Sequence, residues 1–239
     1  MSAEYSFPLY GEMMQELIKE FGGTLMEEYQ GHDIKPLWDQ KGEGYTGYKY
    51  LYKAPKLEKI ALGVGAFREK LMSYALMIWP DDDHALHLFS SYWADSAKGS
   101  FFILDFYPIA DCVLDLPYLD KYLAPLEDIY EKGLDHFPPS RVRSENWFRV
   151  ISSPYVITTE AEATPANRDK LLDLTAEYLK IYIDLWKKDQ PGPAEYMKAL
   201  NARKNAIRAV FQARDSIGDM MLTRAIGKEL SHLSLITQF

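Results

Sequence analysis

Five short runs of apolar and aromatic residues between positions 45 and 107 constrain the fold of this chain more than any other feature. Turn-forming residues separate these runs, which are Tyr45–Lys53, Lys59–Ala66, Leu71–Trp79, His84–Ala94 and Ser100–Tyr107. Runs of this length and composition are typical of β-strands. A parallel crossover needs a dozen or more residues, and the connections here are much shorter, so most neighbouring strands must be antiparallel. The sequence therefore predicts a five-strand meander.

Helical patterns lie on both sides of the meander in the sequence. A first helix is predicted over Phe7–Phe21, because Gly22 ends its apolar rhythm. After the meander we expect a helix, a sixth strand and three more helices, at Tyr118–Leu134, Arg149–Thr159, Pro165–Lys188, Pro193–Gln212 and Asp215–Leu235. The simplest architecture is an α/β/α sandwich, with a central antiparallel sheet of about six strands flanked by helices. Because composition does not shift along the chain, we expect one domain over residues 1–239.

Charge and cysteine content exclude several classes of function. The chain has 35 acidic and 27 basic residues and a net charge of −8, so broad binding of nucleic acid is not expected. Cys112 is the single cysteine, which rules out an internal disulfide, a four-thiolate zinc site and an iron–sulfur cluster. No stretch approaches the roughly 18 apolar residues of a membrane span, and the first residues do not resemble a signal peptide. We expect a cytoplasmic protein without membrane insertion.

Common catalytic motifs are also missing. The Gly63-Val64-Gly65 segment lies within a predicted strand and lacks the third glycine of a dinucleotide-binding turn. His84 and His87 follow three aspartates and could suggest a metal site, but alternate strand positions point to opposite faces, so we expect no metal. The chain retains proton donors and acceptors, which favour a protein that binds an apolar ligand or accepts electrons from elsewhere.

One face of the predicted sheet carries unusually small side chains. Strand alternation places six residues on this face, namely Gly63, Gly65, Ser73, Ala75, Ser90 and Tyr92. The small residues leave room for a flat ligand, or they allow helices to pack closely over the sheet. Tyr92 is either a hydrogen-bond and proton donor or an ordinary core aromatic.

Several segments resemble the ferredoxin-dependent bilin reductases together with red chlorophyll catabolite reductase. The likeness includes the strand entry Tyr-Lys-Ala-Pro-Lys-Leu-Glu-Lys-Ile and the apolar strands that end in Trp79-Pro80 and Tyr107-Pro108. In full, the similar segments are Tyr52–Ile60, Leu76–Pro80, Phe102–Pro108, Asp111–Tyr122, Ser153–Ile157, Glu162–Trp186 and Ala213–Gly227. The resemblance spans nearly the whole chain, and its fold is the sandwich already expected.

The resemblance implies reduction of a linear tetrapyrrole, either a bilin such as biliverdin or a chlorophyll catabolite. The ligand would lie between the sheet and the C-terminal helices, with no covalently bound cofactor, and electrons would come singly from reduced ferredoxin. In the bilin reductases a Glu, a His and an Asp align with Gly63, Ala75 and Tyr92, and in the catabolite reductase a Glu aligns near Ser91. This chain therefore lacks the usual acids and bases of the family's strands.

The remaining candidate proton donors are Asp219, Asp215 and Tyr92. Asp219 is the preferred acid if apolar neighbours keep it protonated, whereas Asp215 could instead cap the helix that follows it. The expected substrate-binding residues are Gly63, Ser73, Ala75, His84, Ser90, Ser91, Arg149, Arg203 and Arg214. The arginines suit carboxylate groups such as propionates.

Ferredoxins are usually acidic, so docking on this acidic chain requires a local basic face. The expected residues of that face are Lys49, Lys53, Lys56, Lys59, Arg68 and Lys70. Two alternatives remain open: a tetrapyrrole carrier of the same fold without chemistry, and a scaffold protein that has lost the pocket.

Overall fold

An antiparallel sheet of eight strands forms the centre of the protein. The structure is a computed structural model that describes residues 7–68, 70–137 and 146–239, without the side chains of residues 7–10 and 216–218. In chain order the strands are β1 (Thr24–Leu25), β2 (Glu28–Tyr29), β3 (His32–Asp33), β4 (Gln40–Gly42), β5 (Tyr45–Ala54), β6 (Leu57–Phe67), β7 (Leu71–Pro80), β8 (Leu88–Ser96), β9 (Gly99–Tyr107) and β10 (Ile157–Ala161). The spatial order is β1-β5-β6-β7-β8-β9-β10, β4 pairs with β5, and β2 and β3 form a separate hairpin.

The predicted meander is confirmed as strands β5 to β9. Each strand pairs with the next in antiparallel register, and the turns between them are short. The sheet is larger than expected because β1 and β4 extend it beyond β5. These two strands have only two and three residues, too few for an alternating pattern to be recognised in the sequence.

Eight α-helices are assigned within the described residues. They are α1 (Phe7–Glu20), α2 (Leu116–Tyr118), α3 (Glu127–His136), α4 (Asn146–Ile151), α5 (Pro165–Lys188), α6 (Ala194–Arg214), α7 (Ser216–Ile226) and α8 (Lys228–Gln238). A π turn and a 3-10 turn, Leu119–Leu123 and Ala124–Leu126, connect α2 to α3, so the helix predicted at Tyr118–Leu134 is irregular in its first half.

The helices cover both faces of the sheet, which confirms the predicted α/β/α sandwich. On one face, Tyr182 of α5 packs against Phe89 and Phe106 of the sheet and against Phe21 beyond α1. On the other face, Phe211 of α6 packs against Tyr107 of β9. Helix α8 covers this second face as well, because its Ser234 binds a side chain of β5. One face of the sheet therefore packs against α5, and the other lies under α6 and α8.

Two sequence predictions for the second half of the chain are wrong. The strand predicted at Arg149–Thr159 is helix α4 followed by the shorter strand β10, because Phe148 and Ile151 lie three apart and both bury on one side of a helix. The helix predicted at Asp215–Leu235 is two helices, α7 and α8. Gly227 separates them with a φ of 85° and a ψ of 163°, a conformation that is essentially confined to glycine.

None of the helices that the structure describes is long and apolar enough to cross a membrane.

Candidate ligand cavity and active site

A cavity of about 1170 Å³ lies between the sheet and the second layer of helices. Strands β5 to β9 form its floor, and residues of α4, α6, α7 and α8 form the opposite wall. A volume of this size is sufficient for a ligand of several rings. The sandwich therefore provides a large internal site on the face where the sequence predicted small residues.

The middle of the floor is one row of residues that crosses five strands. The strand register aligns Lys49, Gly63, Ala75, Tyr92 and Ile103 side by side, and all five line the cavity. A Cβ added to Gly63 would meet only the Cε of Lys49, at 3.3 Å. The space above Gly63 thus belongs to the cavity and to a neighbouring strand side chain, and a helix does not fill it.

The next row of the floor contains Gly65 and Ser73, paired with each other across β6 and β7. A Cβ on Gly65 would lie 2.9 Å from the ring of Tyr45 and 3.1 Å from Ser73 Oγ. Gly65 is therefore small because Tyr45 and Ser73 occupy the space beside it. Both residues line the cavity, as does Ser90 on β8.

Tyr92 is a neutral hydrogen-bond donor in this cavity. Its side chain is partly buried, and its ring packs edge-on against Phe101 with centroids 6.3 Å apart. Burial raises the pKa of the phenol to about 12, and the negative charge of Asp215 adds to this effect. Tyr92 consequently keeps its proton at neutral pH and is close enough to Asp215 to experience its charge.

Asp215 and Asp219 lie at the junction of α6 and α7, and both line the cavity. The Oδ1 of Asp219 accepts a hydrogen bond of 3.0 Å from the hydroxyl of Ser231 on α8 and one of 3.4 Å from Thr223. These two hydroxyls fix the position of the Asp219 carboxyl group. The sequence predicted Asp219 and Asp215 as acids, and the structure brings both to the wall opposite the floor.

Lys49 is a cavity residue that sequence reasoning assigned to another surface. Its side chain is 7% exposed, and its Nζ donates hydrogen bonds to the carbonyl oxygen and the hydroxyl of Ser234, at 2.6 and 2.8 Å. Burial lowers the pKa of the ammonium group to about 7, and the charge of Asp215 opposes part of that shift. A lysine of this kind exchanges its proton near neutral pH.

Two further polar groups on the helical wall face the cavity. Arg214 is exposed at the end of α6 and lines the cavity. Gln238 on α8 also lines it, and its Oε1 is buried without a hydrogen-bond partner among the described residues. A buried amide oxygen without a partner costs free energy unless a donor reaches it. The wall therefore offers a cation and a hydrogen-bond acceptor to a ligand.

Four predicted substrate-binding residues take other positions. His84 lies in the loop before β8, where its Nδ1 pairs with Asp81 at 2.7 Å. Arg149 is exposed on α4 and does not enter a strand, and Arg203 donates to the carbonyl oxygen of Pro108. None of these three is among the residues that line the cavity. Ser91 is part of the lining but is fully buried, and strand alternation directs its side chain away from the face of Ser90.

His87, the other histidine of the pair, lies in different surroundings from His84. His87 lies under α5, stacked on Phe106 with ring centroids 3.9 Å apart and edge-on to Tyr182. Burial lowers its pKa well below the ordinary value for histidine, so the ring is neutral. Within residues 7–68, 70–137 and 146–239, no group of three or more metal-ligating side chains converges.

The predicted basic face is not one cluster. Lys49 and Lys59 are buried, and Lys56 donates to carbonyl oxygens at the end of α5. Lys53 is exposed at the end of β5 that pairs with β1, whereas Arg68 is exposed in the turn after β6, at the opposite end of the sheet. The expectation of a single basic face was wrong for two reasons. Neighbouring residues of a strand point to opposite faces of the sheet, and residues close in sequence can lie at opposite ends of it.

Comparisons with known proteins agree with this architecture. The sequence profile of a family described as ferredoxin-dependent bilin reductase matches residues 32–239. The crystal structure of phytochromobilin synthase from tomato in complex with biliverdin is similar, with a TM-score of 0.83 and 16% sequence identity, over 97% of this chain and 83% of that chain. At this identity the structural match shows the fold alone. No curated protein sequence matches the chain at a significant level.

Proposed function

The chain belongs to the ferredoxin-dependent bilin reductase family, and on this premise we propose that it reduces a linear tetrapyrrole of the bilin class in the central cavity. The observation that carries the proposal is the pairing of a floor of small residues with a wall that bears carboxyl groups, an arginine and an amide oxygen. The family supports ferredoxin as the source of electrons. Biliverdin, which the tomato protein binds, is the first substrate to test.

The cavity suits a flat, conjugated ligand with carboxylate side chains. Gly63, Ala75 and Ser73 leave a shallow floor on which the plane of such a ligand would rest. Arg214 would pair with a propionate, because a guanidinium binds a carboxylate through two hydrogen bonds. The free Oε1 of Gln238 would accept a hydrogen bond from a pyrrole N–H.

Reduction requires a proton for each electron, and the cavity supplies donors on both sides. Each electron from ferredoxin makes the tetrapyrrole more basic, so proton transfer from a positioned side chain follows. Asp219, held by Ser231 and Thr223, is the first candidate donor. Tyr92 and Asp215 are the second, because the Asp215 charge acts on the Tyr92 phenol.

The first experiment combines binding with turnover. The visible absorbance of biliverdin would be followed with the purified protein, with and without reduced ferredoxin under anaerobic conditions. We expect a shifted spectrum on binding and a further change only when ferredoxin is reduced. If the protein binds biliverdin but does not consume reduced ferredoxin, it is a tetrapyrrole carrier and not an enzyme. If it does not bind biliverdin, the result favours a scaffold protein.

The second experiment tests Asp219 as the proton donor. We expect Asp219→Asn to slow decay of the radical intermediate by about 10²-fold, as is typical for loss of a general acid, with biliverdin binding retained. Glu229→Gln is the matched control, because Glu229 is exposed in the first turn of α8 and does not line the cavity. Equal decay rates in the two variants and the wild type would make Asp219 a structural residue.

A further inference from the structure

Lys49 is a charged side chain that adjoins the small residues of the cavity floor. It pairs with Gly63 across β5 and β6, and its Cε lies in the space that a side chain on Gly63 would need. Ala75 and Tyr92 continue the same row. A ligand resting on this floor would therefore contact the end of the Lys49 side chain.

The hydrogen bonds of Lys49 leave one N–H available. An ammonium group has three N–H bonds, and two of them bind the carbonyl oxygen and the hydroxyl of Ser234. No third hydrogen bond to this nitrogen is present among the described residues. A neutral amine still has two N–H bonds, so Lys49 can release its third proton and keep both bonds to Ser234.

Resting on the proposed function, we propose that Lys49 is a second proton donor, which transfers a proton to the tetrapyrrole during its reduction. Saturation of one double bond takes two electrons, from two molecules of reduced ferredoxin, and two protons. One N–H bond of Lys49 breaks as a bond to hydrogen forms on the tetrapyrrole, and the electron pair stays on the nitrogen. Asp219 supplies the other proton, and solvent later restores both.

The surroundings of Lys49 set the pH at which it can act. Burial lowers its pKa to about 7, and the carboxylate of Asp215 works in the opposite direction. Tyr92 is neutral on the same floor, Asp219 lies on the wall, and Lys59 on β6 is a buried lysine whose pKa burial lowers well below its ordinary value. Lys49 therefore holds its proton below about pH 7 and loses it above.

The kinetic test compares wild type with Lys49→Met and Lys49→Arg in anaerobic single turnover of biliverdin with reduced ferredoxin. Both variants should bind biliverdin within a few-fold of wild type and turn over about 10²-fold more slowly, since methionine has no proton and arginine does not release its own. The wild-type rate should fall as pH rises through about 7. The turnover rate of Lys49→Arg should not fall over this pH range.

The matched control is Lys59→Met, because Lys59 is a buried lysine on the same side of the sheet but does not line the cavity. This variant should turn over at the wild-type rate, and its rate should fall with rising pH as the wild-type rate does. If wild type turns over and Lys49→Met matches it, the proton-donor role of Lys49 is overturned while the proposed function stands. If wild type binds biliverdin but never consumes reduced ferredoxin, both fail.

A ligand-free measurement tests the titration itself. The pKa of Lys49 is about 7 in the folded protein against 10.5 for an ordinary lysine, so between these values the unfolded chain binds more protons. Lys49 thus destabilises the fold at pH 7, and this effect fades as pH rises toward 10.5. Lys49→Met should melt at a higher temperature than wild type at pH 7, with a difference that shrinks by pH 10. A difference in melting temperature that does not change with pH would overturn the proposal.

Discussion

Arg214 is an exposed cation in the cavity lining, and its contact with a carboxylate of the ligand can be tested by substitution. A charge-assisted hydrogen bond contributes about 1.5–3 kcal/mol. We therefore expect Arg214→Ala to weaken biliverdin binding by at least about 10-fold, by absorbance titration. Arg203→Ala is the control, because Arg203 binds the Pro108 carbonyl outside the cavity. Similar losses in both variants would mean that Arg214 does not contact the ligand.

At the level of single residues, the sequence predicted the floor of the cavity better than its charges. Strand alternation alone places Gly63, Ala75 and Tyr92 on one face, and the structure agrees. Lys49 was missed because its face depends on the pairing of β5 with β6, not on its neighbours in the sequence. A two-residue turn at 55–56 would by itself pair residue 49 with residue 62, and a register shift between Tyr52 and Ala54 moves the partner of Lys49 to Gly63. The face that Lys49 occupies therefore depends on an irregularity that the apolar pattern does not predict.

Short elements and breaks between elements were the least predictable features. The helix α4 has six residues, and its apolar content looks like a strand until Phe148 and Ile151 are seen to bury on one side. The break between α7 and α8 depends on one backbone conformation at Gly227. Glycine in a helical pattern does not by itself distinguish a tolerated position from a break. The long helix α5, by contrast, spans its predicted residues Pro165–Lys188.

The break at Gly227 gives a prediction for the stability of the helical wall. A Cβ at this position would meet no atom within 4 Å, so the cost of Gly227→Ala comes from the backbone alone. A φ of 85° with a ψ of 163° is strained for alanine, and we expect a loss of about 1–3 kcal/mol of unfolding free energy in chemical denaturation. Ser231 and Ser234 follow on α8 and line the cavity, so biliverdin binding should weaken too.

Gly11→Ala provides the matched control for this substitution. Gly11 lies within α1, and a Cβ there also meets no atom within 4 Å. Because helical backbone suits alanine, this variant should gain about 0.5–1 kcal/mol. If Gly227→Ala were as stable as Gly11→Ala, the backbone at residue 227 would not hold α7 and α8 in their positions.

The shape of the whole molecule determines where an electron donor can approach the cavity. The register places the turns after β6 and after β8 at the same end of the sheet, and the cavity lining reaches this end at Phe67, Leu71 and Lys98. Arg68, Lys70 and Lys98 are exposed in these two turns. A local group of cations next to the cavity offsets the net charge of −8 toward an acidic ferredoxin.

Charge reversal at this end of the sheet should therefore impair electron delivery. We expect Arg68→Glu combined with Lys98→Glu to raise the KM for ferredoxin severalfold and to reduce its dependence on salt, with biliverdin binding unchanged. Lys53→Glu changes charge at the other end of β5, about 26 Å away at about 3.3 Å per residue. It should leave the KM near the wild-type value. If Lys53→Glu impairs turnover as strongly as the double variant, ferredoxin responds to the net charge of the protein and does not dock beside the cavity.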